Sequence, residues 1–206
     1  IAHFVDWYKN TCRLNASDRF SLLSGLAHDP LLRDIFVPLS LGASLHVPAA
    51  DTVNNPNELV QWMKSSAITV THVTPAMSQL MTSAVKWESE EAVPETYQLP
   101  ELRYAVFGGD RLTQKVVAGM TAYASNVSCL NFYGATETPQ AMAHYQASGQ
   151  GEFQNTLLLS GVINDAQCLP IGNGVDGVQL LIITKHGRLA VPNEVGEIAI
   201  RSPYLS

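Results

Sequence analysis

One short segment of the chain concentrates residue types that could bind a nucleotide. Residues 131 to 138 read Asn-Phe-Tyr-Gly-Ala-Thr-Glu-Thr and directly follow a short apolar run. Tyr133 offers a ring that can stack on a purine, and Gly134 allows the backbone to approach a ligand closely. The Thr136 hydroxyl can donate to a phosphate oxygen, and the Glu137 carboxylate can hold Mg²⁺. This combination predicts a site for ATP and its metal ion.

A second set of candidates lies at the start of a predicted helix. Asp29 precedes Pro30, and Arg33 follows Asp29 by one helical turn on the same face. A buried ammonium needs a carboxylate partner, so Asp29 could bind the α-amine of an amino acid. Arg33 could bind a carboxylate at the far end of the same substrate. Each residue also has a structural alternative: Asp29 could cap the helix, and Arg33 could form an ion pair with Asp34 or Asp29.

The rest of the chain predicts the scaffold that holds these residues. Short β-rich apolar runs alternate with longer amphipathic runs, which is typical of an α/β fold with a parallel sheet flanked by helices. The predicted strands are Phe20–Ser24, Ser44–Val47, Ile68–His72, Leu102–Phe107 and Val127–Leu130, and the predicted helices are Ile1–Thr11, Pro30–Leu41, Pro56–Lys64, Pro75–Val85 and Thr113–Tyr123. Ligands of such sheets bind beyond the carboxyl ends of the strands. The positions predicted there are His72, Gly108, Gly109 and Phe132.

The pattern changes in the last quarter of the chain to short β runs separated by turn residues. Gln179–Thr184 and Glu194–Arg201 are predicted to be antiparallel strands joined through a turn at Lys185–Gly187. We therefore predict an α/β subdomain over residues 1–155, followed by the start of a β-subdomain over residues 156–206.

Composition limits the classes of function. The chain has 206 residues, of which 46% are hydrophobic and 15% charged, so it can build a substantial core. Its net charge of −6 and its lack of a basic cluster argue against a nucleic-acid partner. It has no signal-peptide pattern and no apolar run of about 18 residues, so we expect neither secretion nor a membrane span. Cys12, Cys129 and Cys168 are predicted to be reduced, structural cysteines of a cytoplasmic protein, and Trp87–Pro100 is predicted to be a surface loop.

The nucleotide-binding candidate resembles a family signature. Asn-Phe-Tyr-Gly-Ala-Thr-Glu is similar to the Asn-x-Tyr-Gly-Pro-Thr-Glu motif of adenylate-forming enzymes, with Ala135 where proline is usual. That family includes adenylation domains of nonribosomal peptide synthetases, acyl-CoA synthetases and luciferases. Four further matches occur in the family's order, at 26–36 with 41–45, at 68–75, at 106–112, and at 170–172 with 195–200. Phe20–Pro48 resembles most closely the α-aminoadipate reductases and related synthetase modules that end in a reductase.

The resemblance implies a reaction in two steps. The carboxylate of an amino acid would attack the α-phosphorus of MgATP, and a phosphopantetheine thiol on a carrier domain would then take the acyl group. It therefore implies a ligase of secondary metabolism that uses ATP, Mg²⁺ and a carrier domain of a synthetase. An acyl-CoA synthetase-type ligase is one alternative, although such enzymes generally lack the aspartate matched by Asp29. A fragment that binds only a nucleotide or a partner is the other.

The resemblance also assigns roles to individual residues. The amino acid pocket would consist of Asp29, Pro30, Arg33, His72, Val106, Gly108, Phe132, Gln140 and Ala141. The ATP site would consist of Gly108, Gly109, Asp110, Phe132, Tyr133, Gly134 and Thr136. Thr136 and Glu137 would be catalytic, with Glu137 holding the metal. The initial Asp-Pro-Arg-His series resembles an aminoadipate pocket, which implies an acidic substrate side chain.

Two histidines have possible roles in or near the pocket. His72 could bind the substrate or cap its strand, and His28, in place of the family's aromatic residue, could gate the acyl or pantetheine channel.

The family's phosphate-binding loop would precede Ile1. Its ribose-binding aspartate and lid lysine would follow Ser206. We therefore expect an internal fragment without the C-terminal lid, inactive by itself.

Overall fold

The predicted alternation of helices and strands is confirmed in a computed structural model, which describes residues 1–84, 93–149 and 167–205. The helices are α1 (Ala2–Thr11), α2 (Pro30–Leu41), α3 (Ala50–Asn54), α4 (Pro56–Ser65), α5 (Pro75–Thr82) and α6 (Gln114–Tyr123), with a 3₁₀ helix at Glu95–Tyr97. The strands are β1 (Arg19–Ser21), β2 (Ser44–His46), β3 (Val70–Val73), β4 (Tyr104–Phe107), β5 (Ser128–Ala135), β6 (Thr138–Ser148), β7 (Asn173–Gly174), β8 (Gln179–Ile183) and β9 (Glu197–Arg201).

Seven of these strands form one mixed sheet in the order β2-β1-β3-β4-β5-β6-β7. The first five strands in this order, β2, β1, β3, β4 and β5, are parallel, whereas β6 and β7 are antiparallel to their neighbours. Strands β8 and β9 form a separate antiparallel pair. The predicted fold class, a helix-flanked parallel sheet followed by short antiparallel strands, is therefore confirmed.

Local sequence signals explain where the helices begin and end. The Asn55 side chain accepts hydrogen bonds from the backbone N–H groups of Asn57 and Glu58 at the start of α4. Thr74 does the same for Met77 at the start of α5, and both helices have proline in their first turn. Helix α2 ends at Gly42, whose φ of +66° is a left-handed conformation that glycine adopts readily. These signals orient the helices that surround the site.

Two apolar clusters cover the faces of the sheet. One packs α4, α5 and α6 on β3, β4 and β5, with Phe107 and Cys129 among its buried members. The other packs α1 and α2 on the alternate residues of the same strands, including Val106, Leu130 and Phe132. Successive side chains of a strand point to opposite faces, so the alternation along β4 and β5 assigns each residue to its cluster. The second cluster supports the candidate site.

The structure corrects several predicted boundaries. Strand β5 does not end at Leu130 but continues to Ala135, so Phe132 lies within the strand and not beyond its end. His72 likewise lies inside β3, which ends at Val73. Strands β6 and β7 and helix α3 were not predicted at all. The long β5–β6 hairpin is favoured by tertiary pairing, which can override a weak local β-preference.

The predicted hairpin near the end of the chain is largely confirmed. Its turn exists, with a hydrogen bond of 2.9 Å from Gly187 N to Thr184 O, but the chain then forms a short bridge at Leu189 before entering β9 at Glu197.

Parts of three predictions lie outside the described residues. These are the boundary between 155 and 156, the first part of the 87–100 loop, and the last residue of the 75–85 helix. In the described ranges, none of the helices is long and apolar enough to cross a membrane.

Candidate active site

A cavity of about 510 Å³ lies between the N-terminal turn of α2, the carboxyl ends of β3 and β4, and the β5–β6 turn. It brings together most of the residues predicted from the sequence. The predicted residues that line it are Asp29, Pro30, Arg33, His72, Gly108, Gly109, Phe132, Gly134, Thr136 and Gln140, and His28 lines it as well. The walls also include apolar side chains, Leu23 and Met77 among them. A mostly apolar cavity with a few convergent charged groups is typical of small-molecule sites.

Asp29 immediately precedes α2, and its carboxylate does not cap the helix. Its backbone is already helical, with φ −58° and ψ −29°, and its side chain makes no capping hydrogen bond. Its backbone carbonyl accepts a hydrogen bond of 3.3 Å from Nε2 of Gln140, which joins α2 to β6. The structure therefore contradicts the capping alternative, and Asp29 lines the cavity.

Arg33, one turn further along α2, is a buried cation on the same wall. Only 6% of the residue is exposed, and its Nε lies 3.9 Å from Oδ1 of Asp34. The centre of its guanidinium lies 6.0 Å from the ring centroid of Phe132, at the limit of a cation–π contact. Burial lowers the pKa of Arg33 and the Asp34 charge opposes this, yet a guanidinium remains charged in proteins. Its partner at 3.9 Å is distant, so the cation can still attract an anionic group in the cavity.

Behind this wall lies a buried polar network of Tyr8, His72 and Asp34, which the sequence did not predict. The Tyr8 hydroxyl lies 3.0 Å from Nε2 of His72, and Nδ1 of His72 lies 2.8 Å from Oδ1 of Asp34. The second contact is close, but it does not have the geometry of a well-directed hydrogen bond. Tyr8, His72 and Asp34 are each at most 2% exposed. Nothing in the sequence marks Tyr8, which lies on α1 and 64 positions before His72.

The environment sets the charge states of His72 and Asp34 in this network. Burial and the nearby Arg33 charge lower the pKa of His72, despite the opposing effect of Asp34. Burial alone would raise the pKa of Asp34, but the contact with His72 and the charge of Arg33 outweigh it and lower that pKa. Near neutral pH the network therefore contains the neutral imidazole of His72 and the ionised carboxylate of Asp34, with the Arg33 cation beside them.

The other end of the cavity carries the residues predicted to bind the nucleotide. Gly109 has a φ of +83°, a conformation that favours glycine, and the loop leaves its backbone exposed to the cavity. The β5–β6 turn is closed by Thr138, whose Oγ1 accepts a hydrogen bond of 2.8 Å from the backbone N–H of Ala135. Thr136 thereby lines the cavity. Backbone and hydroxyl groups of this kind can bind phosphate oxygens.

Five predicted site residues do not line the cavity. Val106 and Ala141 are buried in the apolar cluster under the site, and Asp110 is exposed, with its Oδ1 accepting from the N–H of Arg111. Tyr133 and Glu137 lie instead on a neighbouring depression of about 360 Å³ that also contacts Ile198 and Ile200 of β9. The described residues contain no group of three or more His, Cys, Asp or Glu side chains that could hold a metal ion by themselves.

Comparison with known proteins identifies relatives of this chain. The sequence matches the family model described as AMP-binding enzyme over residues 1–206. The L-2-aminoadipate reductase of Schizosaccharomyces pombe is 38% identical over 208 residues, which cover all of this chain and 14% of the relative. The D-alanine–D-alanyl carrier protein ligase of Bacillus licheniformis is 24% identical over 206 residues, which cover all of this chain and 38% of the relative.

Solved structures share the fold. The nonribosomal peptide synthetase FmoA3, in a form bound to α-methyl-L-serine-AMP, superimposes with a TM-score of 0.79 at 22% identity, over 98% of this chain and 21% of that protein. The chain thus corresponds to a small part of each of these larger proteins. The match of the family model to the whole sequence shows that this chain belongs to the AMP-binding enzymes.

Proposed function

We propose that this chain forms the amino acid pocket and part of the ATP site of a larger enzyme that activates an amino acid as aminoacyl-AMP. The observation that carries the proposal is the placement of Asp29 and Arg33 on one wall of a cavity whose other end is lined by Gly109 and Thr136. An amino acid held at the first pair presents its carboxylate towards the second. This arrangement supports positioning and charge neutralisation as the main contributions to catalysis.

In the first half-reaction, a carboxylate oxygen of the amino acid attacks the α-phosphorus of ATP. A new oxygen–phosphorus bond forms, and the bond to pyrophosphate breaks. Thr136 is proposed to donate to an oxygen of the α-phosphate, and the Gly108–Gly109 backbone to lie along the adenine edge. Glu137 is exposed beside this end of the cavity, which suits a carboxylate that shares Mg²⁺ with phosphate oxygens. The metal would offset the charge of the departing pyrophosphate.

Substrate selection is proposed to depend on the two charges of α2. The Asp29 carboxylate, which is not used as a cap, would bind the α-ammonium of the amino acid. The Arg33 guanidinium would bind a carboxylate in the substrate side chain. The similarity to a protein named L-2-aminoadipate reductase supports an acidic side chain of this kind.

The second half-reaction is proposed to be transfer of the acyl group to a phosphopantetheine thiol on a carrier domain. The thiol sulfur would attack the acyl carbon, a thioester would form, and AMP would leave. The similarity to a carrier protein ligase and to a nonribosomal peptide synthetase supports this step.

ATP–pyrophosphate exchange by the full-length protein tests the proposal. The substrates would be aminoadipate, glutamate, arginine, neutral amino acids, and the matching acids without an amine. We expect exchange with acidic amino acids, and its loss in Arg33→Ala but not in Arg13→Ala, which changes an exposed arginine outside the cavity. Exchange with neutral amino acids would refute the side-chain assignment. Exchange with the amine-free acids alone would favour the acyl-CoA synthetase-type alternative.

A further inference from the structure

We propose that Tyr8 and Asp34 are positioning residues that fix His72 and Arg33, and thereby set how tightly the site binds an acidic side chain. The inference rests on the proposed function, because it assigns Arg33 to the substrate. It differs from the sequence-based expectation for His72, since both ring nitrogens face other protein groups: Tyr8 at 3.0 Å and Asp34 at 2.8 Å. His72 thus acts through its neighbours and does not bind the substrate with a ring nitrogen.

The arrangement of protons follows from the partners. An ionised carboxylate only accepts, so the neutral imidazole carries its proton on Nδ1, facing Asp34. Its Nε2 is then an acceptor, and the Tyr8 hydroxyl donates to it. This tautomer therefore places an acceptor opposite the Tyr8 hydroxyl and an N–H group opposite the Asp34 carboxylate. Because all three groups are buried, reversing the imidazole or losing one partner would leave a polar atom without water to replace it.

Asp34 connects the buried network to Arg33. Its Oδ1 faces Nδ1 of His72 at 2.8 Å and Nε of Arg33 at 3.9 Å, and its Oδ2 accepts a hydrogen bond of 3.3 Å from the backbone N–H of Ser24. The Asp34 carboxylate is thereby held on the side of the guanidinium that carries Nε. Arg33 itself lines the cavity, and its terminal N–H groups are proposed to bind a carboxylate there through two parallel hydrogen bonds.

Aromatic packing restricts the same guanidinium from another direction. Phe132 lies 6.0 Å from it, and the Phe132 ring is packed edge-on against Tyr8 at a centroid distance of 5.4 Å. Tyr8 therefore acts on Arg33 by two routes, through His72 and Asp34 and through Phe132. A side chain that is held before the ligand arrives loses less conformational entropy on binding.

The charges also balance. The Arg33 cation and the Asp34 anion cancel, and the neutral His72 adds no charge, so these three groups together carry no net charge. Removing the Asp34 charge would leave a buried arginine with no carboxylate beside it on α2 except Asp29 one turn away. We therefore expect Arg33 to move towards solvent or towards Asp29 in such a variant.

The test compares Tyr8→Phe and Asp34→Asn in the full-length protein. We expect each to raise the KM for an acidic amino acid by about tenfold, while the KM for ATP changes by less than about twofold. The matched control is Tyr123→Phe, in the cluster on the other face of the sheet. It also removes a hydroxyl hydrogen bond of a buried tyrosine, to Thr82 O at 3.0 Å. The control should leave both KM values unchanged. Equal loss of kcat with every substrate, or an unchanged KM in both variants, would overturn the proposal.

Crystal structures of the same variants give a readout that does not depend on activity. In Asp34→Asn we expect the Arg33 guanidinium to leave its position over Phe132, and in Tyr123→Phe we expect it to stay. An unmoved guanidinium in both Asp34→Asn and Tyr8→Phe would overturn the positioning role. If none of the amino acids supports pyrophosphate exchange by the wild-type protein, the proposed function fails. The crystal structures would still show whether Tyr8 and Asp34 hold Arg33 in place.

Discussion

The Tyr8 hydroxyl lies 3.0 Å from Nε2 of His72, a contact that joins α1 to strand β3 across 64 positions of sequence. Tyr8 and His72 are both buried, and His72 in turn faces the carboxylate of Asp34. A helix remote in sequence therefore fixes a side chain on the wall of the cavity. We therefore expect stability and substrate binding to be coupled at this point, because the same imidazole packs in the core and lines the cavity.

The first prediction concerns how stability varies with pH. The pKa of folded His72 is lowered by burial and by Arg33, whereas the unfolded chain has an ordinary histidine pKa of about 6.5. Below that pH the unfolded state binds a proton at His72 that the folded state does not. The contribution of His72 to stability is therefore fully present above about pH 6.5, and it is lost as the pH falls towards the lower pKa of the folded state. The pKa of Asp34 is also lowered, so its contribution is lost only in more acidic solution, below about pH 4.

Thermal unfolding from pH 8 to pH 5 measures this effect. His72→Gln should make the decline of Tm below pH 6.5 shallower than in the wild type. The decline should not vanish, because burial also lowers the pKa of His144. His186→Gln is the control, since His186 is exposed on the β8 turn, and it should leave the slope unchanged. A His72→Gln slope equal to that of the wild type would contradict the prediction.

The second prediction concerns the amine. Asp29→Asn removes the negative charge on the cavity wall without deleting a helix cap, because the side chain makes no capping hydrogen bond. We expect the KM for the amino acid to rise about tenfold or more, the effect of losing a charge-assisted hydrogen bond, while Tm is nearly unchanged. Exchange assays and thermal unfolding of the same preparation measure the two. Asp51→Asn, on the exposed helix α3, is the control. A large fall in Tm with an unchanged KM would make Asp29 structural.

Sequence patterns were sufficient to predict the parallel part of the sheet. The apolar runs that became β3 and β4 are bounded by turn residues, and α2 has proline in its first turn and Gly42 after its end. The one-turn spacing of Asp29 and Arg33 then placed both on the same wall. Local periodicity is enough for these features, because each depends on residues close together in the chain.

Two parts of the site depend on contacts that local sequence does not encode. Strand β6 contains Ala141, Ala143 and Ala147, a residue type with weak β-preference, and it is extended because it pairs with β5. Tyr8 looks like an ordinary apolar-face residue of α1, and only the packing of α1 on β3 brings its hydroxyl to His72. Tertiary contact determined both features, so neither periodicity nor motif spacing could predict them.

The third prediction concerns the three cysteines. Burial raises the pKa of Cys12 well above its usual value and that of Cys129 to about 12, whereas Cys168 is exposed. Because the thiolate is the reactive form, iodoacetamide at pH 8 should label Cys168 at least about a hundredfold faster than the other two. Mass spectrometry of peptides measures the rates, and Cys168→Ser should remove the fast reaction. Rapid labelling of Cys12 or Cys129 in the native protein would show that the structure opens around them.

The last prediction concerns Gly172, in the Pro-Ile-Gly segment before β7, with Gly187 as its matched control. Both glycines have left-handed φ values, +78° and +76°, so alanine at either position should cost about 1–2 kcal/mol of backbone strain. The surroundings differ: a Cβ at Gly172 would overlap the carbonyl of His144 on β6, whereas a Cβ at Gly187 would meet nothing within 4 Å. The backbone of β6 cannot yield without breaking its pairing with β7.

Urea unfolding should therefore show a larger loss of stability for Gly172→Ala than for Gly187→Ala, by about 2 kcal/mol or more. The same change should disturb the hairpin that carries Gln140, whose amide holds the start of α2 through Asp29, and so should also weaken amino acid binding. Gly187→Ala should leave binding unchanged. Equal losses of stability in the two variants would mean that the left-handed conformation alone, and not the close approach of the chain to β6, requires glycine at position 172.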